Sequence, residues 1–455
     1  MAGIAFNLKK LIKSDSIQST LSAYFYTALV TSGPWLFSVI SLSLITLQGK
    51  VFTSEVIVSQ FMGLAIYSFA GSMILTGGTQ MAITRQISDC LYDHEESKIA
   101  GMFTGTLLLT LVLACLVGFP VLWILQLPFW TSLQVFVLFV LANIMWVTMV
   151  YISTLKAYMR IVWAFLIGFF SAVPAALVGG RYLGLDGFLI GLNLGLTFIV
   201  FILISSISIE FDGSFRPSKL VLQAHKKYWI LYLTGAIGSL GIWADKMLFW
   251  YGEGISVLGP LRIYPAYDGA MFVAYLTVIP SMAYFVMIIE TDFYEDLRRY
   301  FFLIENKAAY LVLEHARNDL IRELKFNSVR ILIFQIILTS VILFISPWLM
   351  LVLHLDWSQW GIFRLACVGA FFHMAMSLIS IVLAYFDCRM ELFVVGALFL
   401  ATNIAATWWT LGNYWNYGLG YVLAGFVTAG VGFLMACSHL QKLHYKTFAN
   451  PPMVL

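Results

Sequence analysis

Long apolar segments follow one another along almost the whole chain and are separated by short polar connections. A helix needs about 20 apolar residues to cross the hydrocarbon core of a bilayer. That length predicts twelve membrane-spanning helices, at residues 19–47, 56–84, 99–126, 132–155, 161–180, 187–209, 228–251, 267–290, 329–353, 361–386, 390–411 and 417–438. The pattern is therefore typical of an all-α integral membrane protein.

Two longer polar segments interrupt this pattern and predict the domain organisation. Residues 211–227 form a linker, so residues 1–210 and residues 228–455 are predicted to be two bundles of six helices each. Residues 291–328 form the second polar segment, whose apolar residues recur near helical spacing and predict a helical insert. Paired bundles of this kind occur in transporters, and the expected fold is exporter-like or flippase-like.

The basic residues predict the orientation of the helices in the membrane. The predicted outer loops contain only Lys50, Arg181 and Arg262, whereas the inner segments contain most of the other Lys and Arg. Cytoplasmic loops of membrane proteins carry the excess of positive charge. Both termini are therefore expected in the cytoplasm, and the bacterial inner membrane is the expected location.

Composition narrows the function classes. Hydrophobic residues make up 61% of the 455 residues and charged residues 11%, which leaves little room for a soluble domain. The net charge of +3 does not indicate nucleic-acid binding, and the chain contains no Gly-x-x-x-x-Gly-Lys-Ser/Thr phosphate loop. The five cysteines are not spaced as metal ligands. We expect no enzyme activity, no cofactor and no metal site.

Ionisable residues inside predicted spans are candidates for function, because they are costly in a bilayer. Asp245 and Lys246 lie in the seventh span. Neighbouring helical residues point about 100° apart, so each is expected to need its own partner, with Asp268 and Arg364 as candidates. Structural pairing or snorkelling and the lining of a translocation path remain open as alternatives. His373, also inside a span, is expected to be structural rather than a proton relay.

Glycine and proline predict bends at matching places in the two predicted bundles. Gly33, Pro34 and Trp35 lie in the first span, and Gly241 and Trp243 lie in the seventh. Hinges for alternating access are one interpretation, and ordinary kinks or close packing are the other. Together with Asp245, Lys246, Asp268 and Arg364, these five residues are the candidates for the substrate path.

Oppositely charged residues end two of the predicted spans on the inner side. Arg85 and Asp89 end the second span, and Asp387 and Arg389 follow the tenth. Ion pairs at the membrane interface are one interpretation, and a cytoplasmic gate is the other.

The helical insert offers candidate residues for binding a partner. Arg298, Arg299, Phe301 and Phe302 lie together near its beginning. An amphipathic helix of this kind either docks another protein or packs on the ends of its own bundle.

The sequence resembles the PelG family of Pel exopolysaccharide transporters along nearly its whole length. No single segment carries the resemblance, but several occur in order and at matching depth. They are residues 1–6 (MAGIAF), 32–35 (SGPW), 70–77 (AGSMILTG), 240–246 (LGIWADK), 264–268 (YPAYD), 274–280 (AYLTVIP), 290–295 (ETDFYE), 385–387 (YFD) and 445–448 (YKTF).

The resemblance implies membership of the multidrug, oligosaccharidyl-lipid and polysaccharide exporter superfamily. It further implies transport of a polymer rich in N-acetylgalactosamine across the inner membrane. The implied partners are a cytoplasmic glycosyltransferase, a cyclic-di-GMP receptor and a repeat-containing membrane subunit. It carries over no catalytic or ion-coupling residue.

Two rival functions share most of these features. One is a flippase for lipid-linked oligosaccharide, or a cation-coupled exporter, of the same fold. The other is a scaffold that anchors a polysaccharide synthase complex without transporting anything. A flippase for anionic pyrophosphate lipids is expected to expose several cationic residues, and the spans supply only Lys246 and Arg364.

Overall fold

The computed structural model of the protein describes residues 17–154, 158–211, 213–288, 293–352 and 356–449. Residues 1–6 and 290–292, which contribute to the family resemblance, lie outside this described part. The described chain is almost entirely helical, as the apolar pattern predicts, and the prediction of an all-α membrane protein is confirmed.

Within the described residues, eight helices precede a short hairpin. They are α1 (Ile17–Phe52), α2 (Glu55–Tyr92), α3 (Ser97–Leu125), α4 (Phe129–Thr154), α5 (Tyr158–Leu183), α6 (Leu185–Glu210), α7 (Leu220–Lys227) and α8 (Trp229–Gly252). Strands β1 (Ile255–Leu258) and β2 (Leu261–Ile263) then pair antiparallel, with Ile255 opposite Ile263. The sequence did not predict this hairpin.

Eight further helices complete the described chain. They are α9 (Pro265–Leu276), α10 (Ile279–Ile288), α11 (Tyr294–Glu305), α12 (Tyr310–Val352), α13 (Trp357–Tyr385), α14 (Arg389–Thr410), α15 (Leu419–Gln441) and α16 (Leu443–Ala449). A 3₁₀ turn at Tyr414–Asn416 precedes α15. A capping box between Asp356 and Gln359 starts α13 and satisfies amide groups that the first turn leaves free.

Each predicted span contains helix, although the span predicted at 267–290 is divided into α9 and α10. One helix differs from the others in composition. Among the described residues, eleven helical segments are long and apolar enough to cross a membrane. The 24-residue helix α8, predicted as the seventh span, is not one of them. Asp245 and Lys246 lower the apolar character of α8, because charged side chains are costly in lipid.

The polar insert is continuous with the membrane helix that follows it. α11 occupies its first part, but α12 runs without a break from Tyr310 to Val352. A helix of 43 residues is about 65 Å long, roughly twice the thickness of the hydrocarbon core. The charged N-terminal half of α12 therefore extends beyond the core together with α11.

The chain divides into two compact units. One, the N-unit, consists of Ser32–Trp243 and Phe249–Tyr264. The other, the C-unit, contains Ala244–Leu248, the described residues from Pro265 onwards, and residues 17–31 at the start of α1. The linker 211–227 and most of α8 thus belong to the N-unit, whereas Asp245 and Lys246 belong to the C-unit.

Close contact between helices places most of α8 in the N-unit. A Cβ atom on Gly235 of α8 would lie 2.3 Å from the carbonyl oxygen of Gly77 on α2. The same relation holds between α5 and α6, where a Cβ on Gly187 would lie 2.0 Å from the carbonyl oxygen of Gly179. Small residues allow backbones to approach this closely within a membrane.

Candidate functional site

The C-unit contains a buried ion pair on α8. Asp245 is fully buried, and Lys246 places its Nζ 3.4 Å from each carboxylate oxygen of Asp245. The expectation that these neighbours cannot pair is therefore wrong. The four-carbon side chain of Lys246 is long enough to fold back, although the two Cβ atoms point in different directions.

Helix α9 completes the surroundings of this pair. Tyr267 donates a hydrogen bond of 2.8 Å to Asp245 Oδ2, and the Lys246 ammonium lies 5.3 Å from the ring centre of Tyr275. Asp268 on the same helix acts electrostatically on Lys246. Arg364, the other partner considered from the sequence, instead lies over the Trp360 ring at 4.9 Å.

Two further aromatic residues extend this group away from the ion pair. The ring of His373 on α13 stacks on Tyr421 of α15 at 5.9 Å, and both rings contact Tyr275, at 6.0 and 5.8 Å. The buried Nδ1 atom of His373 has no hydrogen-bond partner among the described residues. We call Asp245, Lys246, Tyr267, Tyr275, His373 and Tyr421 the charge–aromatic cluster.

The chemistry of the charge–aromatic cluster suits neutral polar groups. Its two charges neutralise each other, so it does not present a free cation to an anionic ligand. Tyrosine offers a hydroxyl that donates and accepts hydrogen bonds and an apolar ring face. Such groups can hydrogen-bond to hydroxyl groups and stack on apolar ring faces.

The other path candidates lie in the N-unit. Gly33 and Pro34 are buried inside α1, which stays helical through both residues and continues through Trp35. The ring centres of Trp243 of α8 and Trp250 are 6.0 Å apart, and those of Trp250 and Tyr67 of α2 are 4.7 Å apart. Gly241 is buried on the same helix.

The hairpin contacts Tyr67, the last of the three aromatic residues Trp243, Trp250 and Tyr67. Tyr67 donates a hydrogen bond of 2.8 Å to the carbonyl oxygen of Arg262 on β2. A Cβ on Gly63 would lie 2.9 Å from the Val257 side chain of β1, so the hairpin packs directly on α2.

The gate candidates form ion pairs at helix ends. Arg85 lies 3.5 Å from Asp89 near the end of α2, and Lys227 and Tyr228 also donate hydrogen bonds to the Asp89 carboxylate. The hydrogen bond to Asp89 raises the pKa of Lys227. In the C-unit, Arg389 binds Asp387 through two hydrogen bonds of 2.9 and 2.7 Å. The predicted pairs are present, and their action as a gate stays a prediction.

The docking candidates separate into exposed and packed residues. Arg298, Arg299 and Phe302 are exposed on α11. Phe301 instead packs at the edge of an apolar core formed by α11, α12 and neighbouring helices. Its ring lies 5.5 Å from that of the buried Tyr300.

Sequence reasoning missed a second polar cluster in the C-unit. Cys388 places its Sγ 3.0 Å from Nδ1 of His439, and Lys446 Nζ lies 2.9 Å from the same nitrogen and 3.1 Å from Glu391 Oε1. Burial raises the pKa of the Cys388 thiol to about 12. Cys388 and His439 are 51 positions apart, so no local motif reveals this cluster.

A sequence model of the family described as "PelG: Putative exopolysaccharide Exporter (EPS-E)" matches residues 1–448. No curated protein matches the chain.

Solved structures of similar fold are transporters. An inward-facing "multidrug resistance MATE family transporter of the MOP superfamily" matches with a TM-score of 0.64 and 13% identity, over 91% of this chain and 96% of that one. A MOP superfamily transporter from Pyrococcus furiosus matches with a TM-score of 0.62 and 12% identity, over 92% of this chain and 96% of that one. A MATE structure in the bent conformation matches with a TM-score of 0.61 and 14% identity, over 98% of this chain and 99% of that one. At these identities the likeness shows the fold, and it confirms the exporter-like architecture.

Proposed function

The chain belongs to the PelG family of exopolysaccharide exporters, and from this premise we propose that it carries a nascent polymer rich in N-acetylgalactosamine out of the cytoplasm. The polymer would be delivered to the periplasm for the biofilm matrix. The observation that carries this proposal is the family match over residues 1–448. The family model supports transport as the class of function, and eleven apolar helical segments among the described residues support a multi-pass membrane protein.

The charge–aromatic cluster supports a neutral, hydroxyl-rich cargo. Its ion pair is internally compensated, and its remaining polar atoms belong to three tyrosines and one histidine. A lipid-linked pyrophosphate carries several negative charges and would require free Arg or Lys groups. The cluster therefore favours a polysaccharide over a lipid-linked oligosaccharide.

The composition of α8 supports a substrate path along this helix. It is not among the eleven helical segments apolar enough to cross a membrane, and it carries Asp245, Lys246 and Trp243. A Cβ atom at Gly238 meets nothing within 4 Å among the described residues. We assign this open space to the substrate path, together with Gly241, Trp35 and the buried bend candidates of α1.

A cation-coupled exporter of the same fold is the second candidate. The buried Asp245 carboxylate with its Tyr267 hydrogen bond favours it, since intramembrane carboxylates serve as proton or ion sites in transporters. A scaffold of the synthase complex without transport is the remaining alternative.

The test of export against scaffolding is the substitution Gly238→Trp. A Cβ atom there meets no neighbour within 4 Å, so we expect the protein and its complex with the glycosyltransferase to remain intact in this variant. Gly430→Trp is the matched control, because a Cβ at the exposed Gly430 of α15 also meets nothing within 4 Å.

Three quantities are measured together: secreted polymer, co-purification of the glycosyltransferase, and incorporation of sugar into polymer. Export predicts that Gly238→Trp loses secretion and keeps the other two, while Gly430→Trp keeps all three. Secretion that fails only when the complex dissociates would instead identify a scaffold.

A further inference from the structure

The second polar cluster of the C-unit combines three metal-binding side chains. The thiol of Cys388, the carboxylate of Glu391 and the imidazole of His439 place ligand atoms within 4.8 Å of one another. We propose that these residues form a binding site for a divalent transition-metal ion of the zinc class, in competition with the ammonium group of Lys446.

The distances fit a tetrahedral ion. Zinc binds cysteine sulfur at about 2.3 Å and histidine nitrogen at about 2.0 Å, which places the two ligand atoms about 3.5 Å apart at a tetrahedral angle. The distance from Cys388 Sγ to His439 Nε2 is 3.4 Å. Sulfur, nitrogen and carboxylate oxygen are also the ligand types that zinc accepts together.

The site is built by different elements and has an accessible side. Cys388 directly precedes α14, Glu391 lies in its first turn, and His439 lies in the last turn of α15. Cys388 and His439 are 4% and 8% exposed, whereas Glu391 is partly exposed. An ion would enter from the Glu391 side, where water can supply a fourth ligand.

Lys446 already places a positive charge in this site. Its Nζ contacts both Glu391 Oε1 and His439 Nδ1. A metal ion held by Cys388, Glu391 and His439 Nε2 would take over the Glu391 contact, and its charge would repel the Lys446 ammonium from the imidazole. The Lys446 side chain would withdraw, and the thiol proton of Cys388 would pass to solvent. Because Lys446 lies on α16, metal binding would also loosen the attachment of this short helix.

Cobalt(II) is the probe, since it follows zinc chemistry and a thiolate ligand gives it a charge-transfer absorption band. The purified full-length protein is titrated with Co²⁺ and then with Zn²⁺. The wild type should develop the band, and Zn²⁺ should remove it. Cys388→Ser should lose the band. Cys437→Ser removes a different thiol, which lies on α15 outside the proposed site, and should keep the band.

The substitution Lys446→Met separates a metal site from a purely structural cluster. It removes the competing charge and should tighten Co²⁺ binding by about tenfold or more. A damaged fold cannot produce such a gain. Absence of the band from the wild type, its persistence in Cys388→Ser, or unchanged affinity in Lys446→Met would each overturn the proposal.

Discussion

A charged pair enclosed in a membrane protein is stable only while both charges are present. Asp245 and Lys246 compensate each other, and Tyr267 binds the carboxylate. Removing one partner leaves the other charge buried without compensation, which typically costs about 3–5 kcal/mol. Neutralising both avoids that cost, so single and double variants distinguish a structural role from a role in transport.

We predict that Asp245→Asn and Lys246→Met each impair polymer secretion, and that the double variant recovers thermal stability but not secretion. The reason is that the double variant restores charge balance but lacks the ionic groups of the path. Melting temperature and secreted polymer are measured on the same preparations. A double variant with normal secretion would show that the pair is structural only.

At the scale of elements, α11 and the first half of α12 present an exposed surface outside the membrane core. Tyr310 and Leu311 at the start of α12 are exposed by 63% and 67%, and Phe302 of α11 is exposed as well. About 20 residues, or roughly 30 Å of helix, separate this end of α12 from its apolar part. A surface at that distance from lipid suits a soluble protein partner better than the bilayer.

The docking proposal predicts different results for residues of α11 that look alike in the sequence. Combined Ala substitutions at Arg298, Arg299 and Phe302 should release the glycosyltransferase from the purified complex without lowering the melting temperature. Phe301→Ala should lower the melting temperature, because Phe301 packs against the apolar core. Unchanged co-purification of the triple variant would leave α11 as internal packing.

Helix α16 is predicted to loosen on acidification. His444 accepts or donates a 3.0 Å hydrogen bond with Tyr300 of α11, and burial lowers the pKa of His444. Above the ordinary histidine pKa of about 6.5, His444 is neutral in both the folded and the unfolded state, and its hydrogen bond with Tyr300 is at full strength. Below it the unfolded state binds the proton first, so stability is lost as the pH falls towards the lowered value.

Hydrogen–deuterium exchange at Leu443–Ala449, corrected for intrinsic rates, should therefore rise between about pH 7.5 and about pH 5. The variant His444→Gln, which cannot titrate, should show a smaller rise. Equal rises in both proteins would assign the effect to other groups.

At the scale of the whole molecule, the sequence predicted the fold better than it predicted the contacts between side chains. Runs of apolar residues identify membrane helices because the bilayer imposes their length, and every predicted span contains helix. The ion pair was misjudged, since Cβ directions do not limit a long lysine side chain. The Cys388 cluster and the hairpin depend on contacts between distant residues, which no local pattern encodes.

The proposed topology gives a direct test of orientation. Reporter fusions after residues 95, 220, 310 and 450 should all indicate the cytoplasm, because the basic residues concentrate in these segments. A fusion after residue 260, next to Arg262 in a predicted outer loop, is the control and should indicate the periplasm. A periplasmic signal from any of the first four would contradict the arrangement of twelve spans.

The central claim is that polymer crosses the membrane through this protein, and inverted membrane vesicles test it most directly. Vesicles that contain the synthase complex receive a radiolabelled N-acetylgalactosamine donor from outside, and external glycoside hydrolase then digests any polymer that has not entered. The account predicts protected polymer with the wild type. With the double variant of Asp245 and Lys246 it predicts equal synthesis but little protection. Equal protection in vesicles that make polymer without this chain would contradict the claim.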